Sequence, residues 1–200
     1  MNLNNLPIEG TFIEAEGGFY SGKLLVNGKP TAVITAPKAL GEFSGIWLPE
    51  YTLIPGANSF NDGVANTLAM AEAGSPIAQK AIAAEINGHK DWVIGARDVV
   101  ELQYRHLKPT TDKNYVYRHG DNPSSIPVGY PYSEDEPAQT PLALFQAGGT
   151  EAFEPAWYAT STQSGANVAW FQGFRDGYQF TGLEYSEFQV RLVRLIQLDA

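Results

Sequence analysis

Two hundred residues with 44% apolar and 18% charged side chains suit one folded domain with a sizeable core, and exclude a disordered chain. A net charge of −9 without any basic cluster argues against a nucleic-acid partner and against binding to anionic membrane surfaces. The absence of cysteine removes disulfides, thiolate metal sites and cysteine nucleophiles together.

The N-terminus, Met1-Asn2-Leu3-Asn4-Asn5, lacks the basic and apolar regions of a signal peptide, so none is expected. No run approaches 18 apolar residues, so no membrane insertion is expected either. Residues 10–36 read as β structure. Leu24-Leu25-Val26 and Thr31-Ala32-Val33-Ile34-Thr35 flank Asn27-Gly28, the dipeptide best suited to positive φ in a hairpin turn. Gly17-Gly18 marks an earlier turn, and Glu14 and Glu16 have the spacing of same-face strand neighbours. Residues 38–55, with Trp47 and Tyr51 among three prolines, read as irregular.

Helix follows. Asp62 caps a segment running from Val64 to Ala73, and Gly74 closes it. Ser75 and Pro76 then open a second helix whose Ile77, Ala81, Ala84 and Ile86 form a stripe. Trp92-Val93-Ile94 reads as a short buried strand. From Arg97 to Leu107 the spacing of Val100, Tyr104 and Leu107 predicts helix again, stopped by Pro109. Residues 110–155 are rich in Pro, Gly, Asn and Ser, and a connection this long is usually functional or held by a partner. Four strands close the chain, near 156–162, 167–174, 178–184 and 188–197.

No catalytic or metal constellation stands out. His89, His106 and His119 lack ligand spacing, and no Asp-x-Asp-x-Asp-Gly loop accompanies Asp121, Glu134, Asp135 and Glu136. The pairs Glu14/Glu16 and Glu184/Glu187 have a glycosidase's residue types, but nothing else marks such a site. No cofactor is expected. What distinguishes the last strands is aromatic and amide side chains between tight polar turns, a pattern suited to stacking on sugar rings or packing into a partner. The candidate binding residues are Tyr158, Gln163, Asn167, Trp170, Gln172, Arg175, Asp176, Tyr178 and Phe180. Parity alone does not assign the exposed face, since Trp170 and Phe171 point opposite ways in a regular strand.

Four segments, Asp91–Leu102, Trp157–Gln163, Ala169–Gly177 and Val190–Arg194, together resemble the DUF1566 (Lcl C-terminal-like) family in sequence and order. The resemblance implies an α+β fold of the C-type-lectin-like kind: two main helical regions on a small twisted antiparallel sheet, with long loops. It divides the chain into an N-terminal β-hairpin segment, 1–45, serving attachment or assembly, and a lectin-like domain, 46–200. Tyr115–Arg118 and Gly120–Ser125 look like the version of this domain found in tailed bacteriophages. That likeness implies a non-enzymatic virion surface protein, made in the host cytoplasm, at the tail fibre or decorating the head. Its implied partners are other virion proteins and a host surface glycan or protein, with assembly as a homo-oligomer. Glu154-Pro155-Ala156 lacks the amide of the calcium lectins of this fold, so calcium-dependent sugar binding is not expected. The alternatives are a purely structural capsid- or tail-stabilising protein, or a glycan-active hydrolase using Asp121, Asp176 and Glu184.

Overall fold

A computed structural model describes residues 1–117, 119–183 and 186–199. Arg118 and Glu184, which enter the expectations above, lie outside the described residues.

The chain is organised around one strand. β9, Glu187–Gln197, is the longest of nine and is flanked on both sides along most of its length. On one side β3 (Lys29–Thr35) pairs with its C-terminal half, Thr35 opposite Val193. The helical turn α1 (Lys38–Gly41) then interrupts the chain, and β4 (Glu42–Ile46) resumes along the N-terminal half, Glu42 opposite Arg191. On the other side β5 (Val93–Ile94) runs antiparallel to it, and β6 (Trp157–Gly165) touches it in parallel at Gln189. The outer strands extend the sheet by hairpins: β1 (Phe12–Ile13) and β2 (Gly18–Val26) beyond β3, and β7 (Val168–Gly173) and β8 (Gln179–Leu183) beyond β6.

The local signals hold. Asn27 and Gly28 both take positive φ, 50° and 78°, and set the β2–β3 register with Val26 opposite Lys29. Asp62 Oδ1 accepts from the Ala65 amide to cap α2 (Gly63–Glu72). Ser75 and Pro76 open α3 (Pro76–Ile82), which ends before Ala84 and Ile86 of the expected stripe, and Arg97–Leu107 is α4.

The expected fold class does not hold. In place of two main helical regions on a small antiparallel sheet, the described residues form a large nine-stranded mixed sheet with 19% helix. Of the N-terminal strands, β3 and β4 pair with β9 along one flank. The physical reason is that Val190, Leu192 and Val193 are buried, and such a strand satisfies its backbone only with neighbours on both sides. Residues 38–55, read as irregular, contribute β4 and the fully buried Trp47, whose Nε1 donates to the Thr160 carbonyl at 2.6 Å. Glu14 and Glu16 sit in a 3-10 turn instead of a strand.

Three hydrophobic clusters fill the interior. The largest packs α2 and α3 on the sheet through Trp47, Met70, Ile77, Trp92, Phe171 and Leu192. A second, aromatic one joins α4 to the long connection through Tyr104, Phe145, Phe153, Tyr158 and Phe174. The third packs α4 on β2, β3 and β9 through Leu24, Val33, Val99, Leu102 and Val193. Among the described residues no helix is long and apolar enough to cross a membrane.

The connection 110–155 is tied down by one stripe of α4. Asp98, Glu101 and Arg105, with Lys108 just beyond the helix, share a face, and each bonds to the loop. Asn122 Nδ2 donates to Glu101 at 2.5 Å and to the Asp98 carbonyl at 2.8 Å, and Ser124 Oγ donates to Asp98 at 2.6 Å. The Tyr132 hydroxyl donates to Glu101 at 2.9 Å. Lys108 Nζ donates to the Asp112 carbonyl, to Asn114 Oδ1 and to the Pro137 carbonyl, at 2.6, 2.8 and 3.2 Å.

Candidate binding surface

Trp157 opens β6 opposite Gly173 of β7, and the lack of a side chain at 173 lets the indole lie across that strand. A Cβ there would meet the ring at 2.9 Å. Phe180 of β8 pairs with Phe171, which places it on the same sheet face as Gly173 and Trp157. Trp157 and Phe180 meet edge to face with centroids 4.5 Å apart. Tyr178 extends the row at 5.7 Å from Trp157, and Tyr115 follows at 4.5 Å from Tyr178. Trp157 is 38% exposed and Tyr115 42%, so the row reaches solvent. Edge-to-face packing fixes the rings before any ligand arrives, which lowers the ordering cost of binding.

Beside Trp157 lies a shallow depression of about 310 Å³, lined also by Ser44, Ala156, Glu187, Phe188 and Gln189. An aromatic edge with a hydroxyl, a carboxylate and an amide around one hollow provides an apolar wall and paired hydrogen-bond groups. That is the chemistry a sugar ring requires.

His119 supports the row from inside. Its ring lies 4.8 Å from Tyr178, and its Nδ1 accepts from the Gln179 amide at 3.3 Å. Burial pushes its pKa below the usual histidine value, the Arg97 guanidinium pushes the same way, and Asp176 opposes. The ring is therefore held neutral, with its proton on Nε2.

The predicted residues divide into three groups. Tyr178 and Phe180 belong to the row. Arg175 and Asp176 form the turn beside it: Arg175 Nε donates to Asp112 at 3.0 Å, and Asp176 Oδ1 accepts from the Tyr178 amide. Asn167 is exposed in the β6–β7 turn, at the opposite end of β7 from Tyr178. Trp170 points to the other face of β7, where it and Phe60 hold the Arg97 guanidinium between them at 5.0 and 4.9 Å.

Tyr158, Gln163 and Gln172 are buried, and their polar groups are engaged inside the molecule except Gln172 Oε1, which is buried without a partner. The Tyr158 hydroxyl accepts from the Glu154 amide and donates to Glu42; burial and the Glu42 carboxylate push its pKa up. Gln163 bridges the Ile54 amide and the Thr52 carbonyl, both at 2.7 Å. Gln172 donates to the Gly177 carbonyl at 2.9 Å. These three offer no contact surface: Tyr158 pairs with Gln172 on one face of the sheet and Gln163 with Ala169 on the other, and both faces are covered at those positions.

Ser44 and Gln189 escaped the sequence reading, since β4 carries Ser and Gly where a strand signal would need branched or aromatic residues. Tyr115 was legible only through the phage resemblance, and Glu187 only as half of a carboxylate pair. Among the described residues no cluster of three or more His, Asp or Glu is arranged to hold a metal. No family model, no curated protein and no solved structure matches this chain.

Proposed function

We propose that this chain is a non-enzymatic surface protein of a tailed-bacteriophage particle that binds a host glycan through the aromatic end of β6, β7 and β8. The observation that carries the binding reading is the Trp157 depression, with its polar lining and its fixed aromatic row. The phage setting rests on the likeness of Tyr115–Arg118 and Gly120–Ser125 to the version of the DUF1566 domain found in tailed bacteriophages. Hydrolysis is disfavoured because a glycosidase works with two facing carboxylates, and Glu187 is the one carboxylate among the described residues lining the hollow. A single shallow site binds weakly, so many copies on a particle supply the avidity.

The test is binding of purified protein to host cells and, in parallel, to particles lacking it. Saturable binding to cells is expected. Trp157→Ala or Tyr178→Ala should weaken it by roughly tenfold or more, equivalent to about 1.4 kcal/mol. Asn167→Ala, at the far end of the strands, should leave it unchanged. Binding to particles alone would replace this reading with an assembly role, and turnover of a glycan would replace it with an enzyme.

A further inference from the structure

Arg105 and His106, at the C-terminal end of α4, share no lining residue with the Trp157 depression. Two adjoining cavities, of about 230 and 430 Å³, flank them, and both are lined by Arg105, His106 and Ala138. Ile126, Pro127, Val128 and Tyr130 wall the first.

The Arg105 side chain is only 8% exposed. Its Nε donates to Glu101 at 3.0 Å, and its Nη2 donates to the carbonyls of Gly120 and Tyr130 at 2.5 and 2.9 Å. Its Nη1 is buried and has no partner. A buried guanidinium nitrogen without an acceptor is costly, and such groups in native proteins generally serve a water, an ion or a ligand. His106 complements it. Its Nδ1 lies 2.7 Å from the Ser21 carbonyl, which can only accept, so Nδ1 carries the proton and Nε2 of the neutral ring is an acceptor.

Charge decides the ligand class. Glu101 neutralises Arg105, Glu136 lines the first cavity, Glu9 lines the second, and the chain carries −9. An anion would meet no net positive field here. One donor and one acceptor beside apolar walls match a hydroxyl, which both accepts and donates, on a ligand with C–H faces.

We propose that this groove binds a neutral polyhydroxylated ligand, a sugar unit, with a hydroxyl between Arg105 Nη1 and His106 Nε2. Its C–H face packs on Pro127, Val128 and Tyr130. The half-exposed Tyr130 ring lies over the guanidinium at 4.6 Å, and ligand entry shifts it.

The experiment is an NMR titration of the full chain, following the His106 imidazole. The probes are methyl glucoside, N-acetylglucosamine, glucuronate and inorganic phosphate. A saturable shift with a neutral sugar is expected. Ala138→Trp fills the groove from an exposed position and should weaken that response at least about tenfold. Arg105→Lys should weaken it as well, but it also disturbs Glu101, so the tryptophan variant is the decisive arm. Trp157→Ala should leave the His106 response intact, which separates this site from the aromatic hollow. Shifts with phosphate or glucuronate alone would overturn the proposal in favour of an anion site. An unchanged response in Ala138→Trp, or no response to any probe, would overturn it outright.

Discussion

His119 shows how a single side chain couples the aromatic row to solvent conditions. Its Nδ1 accepts from the Gln179 amide, and burial together with Arg97 holds it neutral in the folded protein. The unfolded chain therefore binds its proton at higher pH than the folded one does. Stability contributed by this residue is present above the ordinary histidine pKa of about 6.5 and is lost as pH falls below it toward the depressed folded value. Urea midpoints between pH 7.5 and 5 should fall more steeply in the wild type than in His119→Asn. Equal slopes would show that the ring does not govern this window. The residue scale is also where sequence reading is least complete. Tyr158, Gln163 and Gln172 advertise hydrogen-bonding capacity, but the sequence does not say whether a ligand or a buried backbone group uses it. Here Glu42 and the backbone of Thr52, Ile54 and Gly177 do.

Among the elements, α4 carries the most structure for its length. Its apolar stripe was legible from Val100, Tyr104 and Leu107, which are buried as spaced. A second, polar stripe at Asp98, Glu101 and Arg105, continued by Lys108, bonds to the connection from 110 to 140 and holds a loop rich in Pro and Gly against the helix. Such a stripe reads as a solvated helix face in sequence, because nothing local shows that a loop returns to cover it. Lys108→Met keeps the aliphatic stem but leaves the Asp112 carbonyl without its lysine donor, while Asn114 Oδ1 retains the Tyr104 hydroxyl and the Pro137 carbonyl retains Asn114 Nδ2. It should destabilise the protein by about 1–3 kcal/mol. Limited proteolysis should then cut first within 110–140, while the β6–β9 strands stay protected. Cleavage elsewhere would place the anchor on other contacts.

The whole molecule depends on β9 and its two buried arginines. Arg191 is fully buried and joins three separate parts of the chain: its Nε donates to the Ala36 carbonyl, its Nη1 to Glu42 and its Nη2 to Glu151. Arg194 holds Asp91 through two nitrogens, at 2.6 and 3.0 Å, and Glu16 at 3.0 Å. Although burial works against it, this pairing keeps the Asp91 carboxyl below its usual range. Removing one partner of a buried ion cluster strands the other charges, so Arg191→Met should cost about 3–5 kcal/mol by denaturant unfolding. A loss under 1 kcal/mol would mean that Glu42 and Glu151 find water instead. Taken alone, the sequence determined the local elements: the Asn27-Gly28 hairpin, the caps at Asp62 and Ser75, helix α4, and four closing strands within a few residues. Turn chemistry, capping and periodicity act over neighbouring residues, so they are written locally. Only the tertiary structure decided that β3 and β4 run end to end along β9, that nine strands share one sheet, and which face of β6–β8 reaches solvent. Those outcomes rest on strand pairs roughly 160–170 residues apart, such as Thr35 with Val193 and Thr31 with Gln197. No local pattern encodes such pairs, because many alternative registers would satisfy the same alternation of side chains.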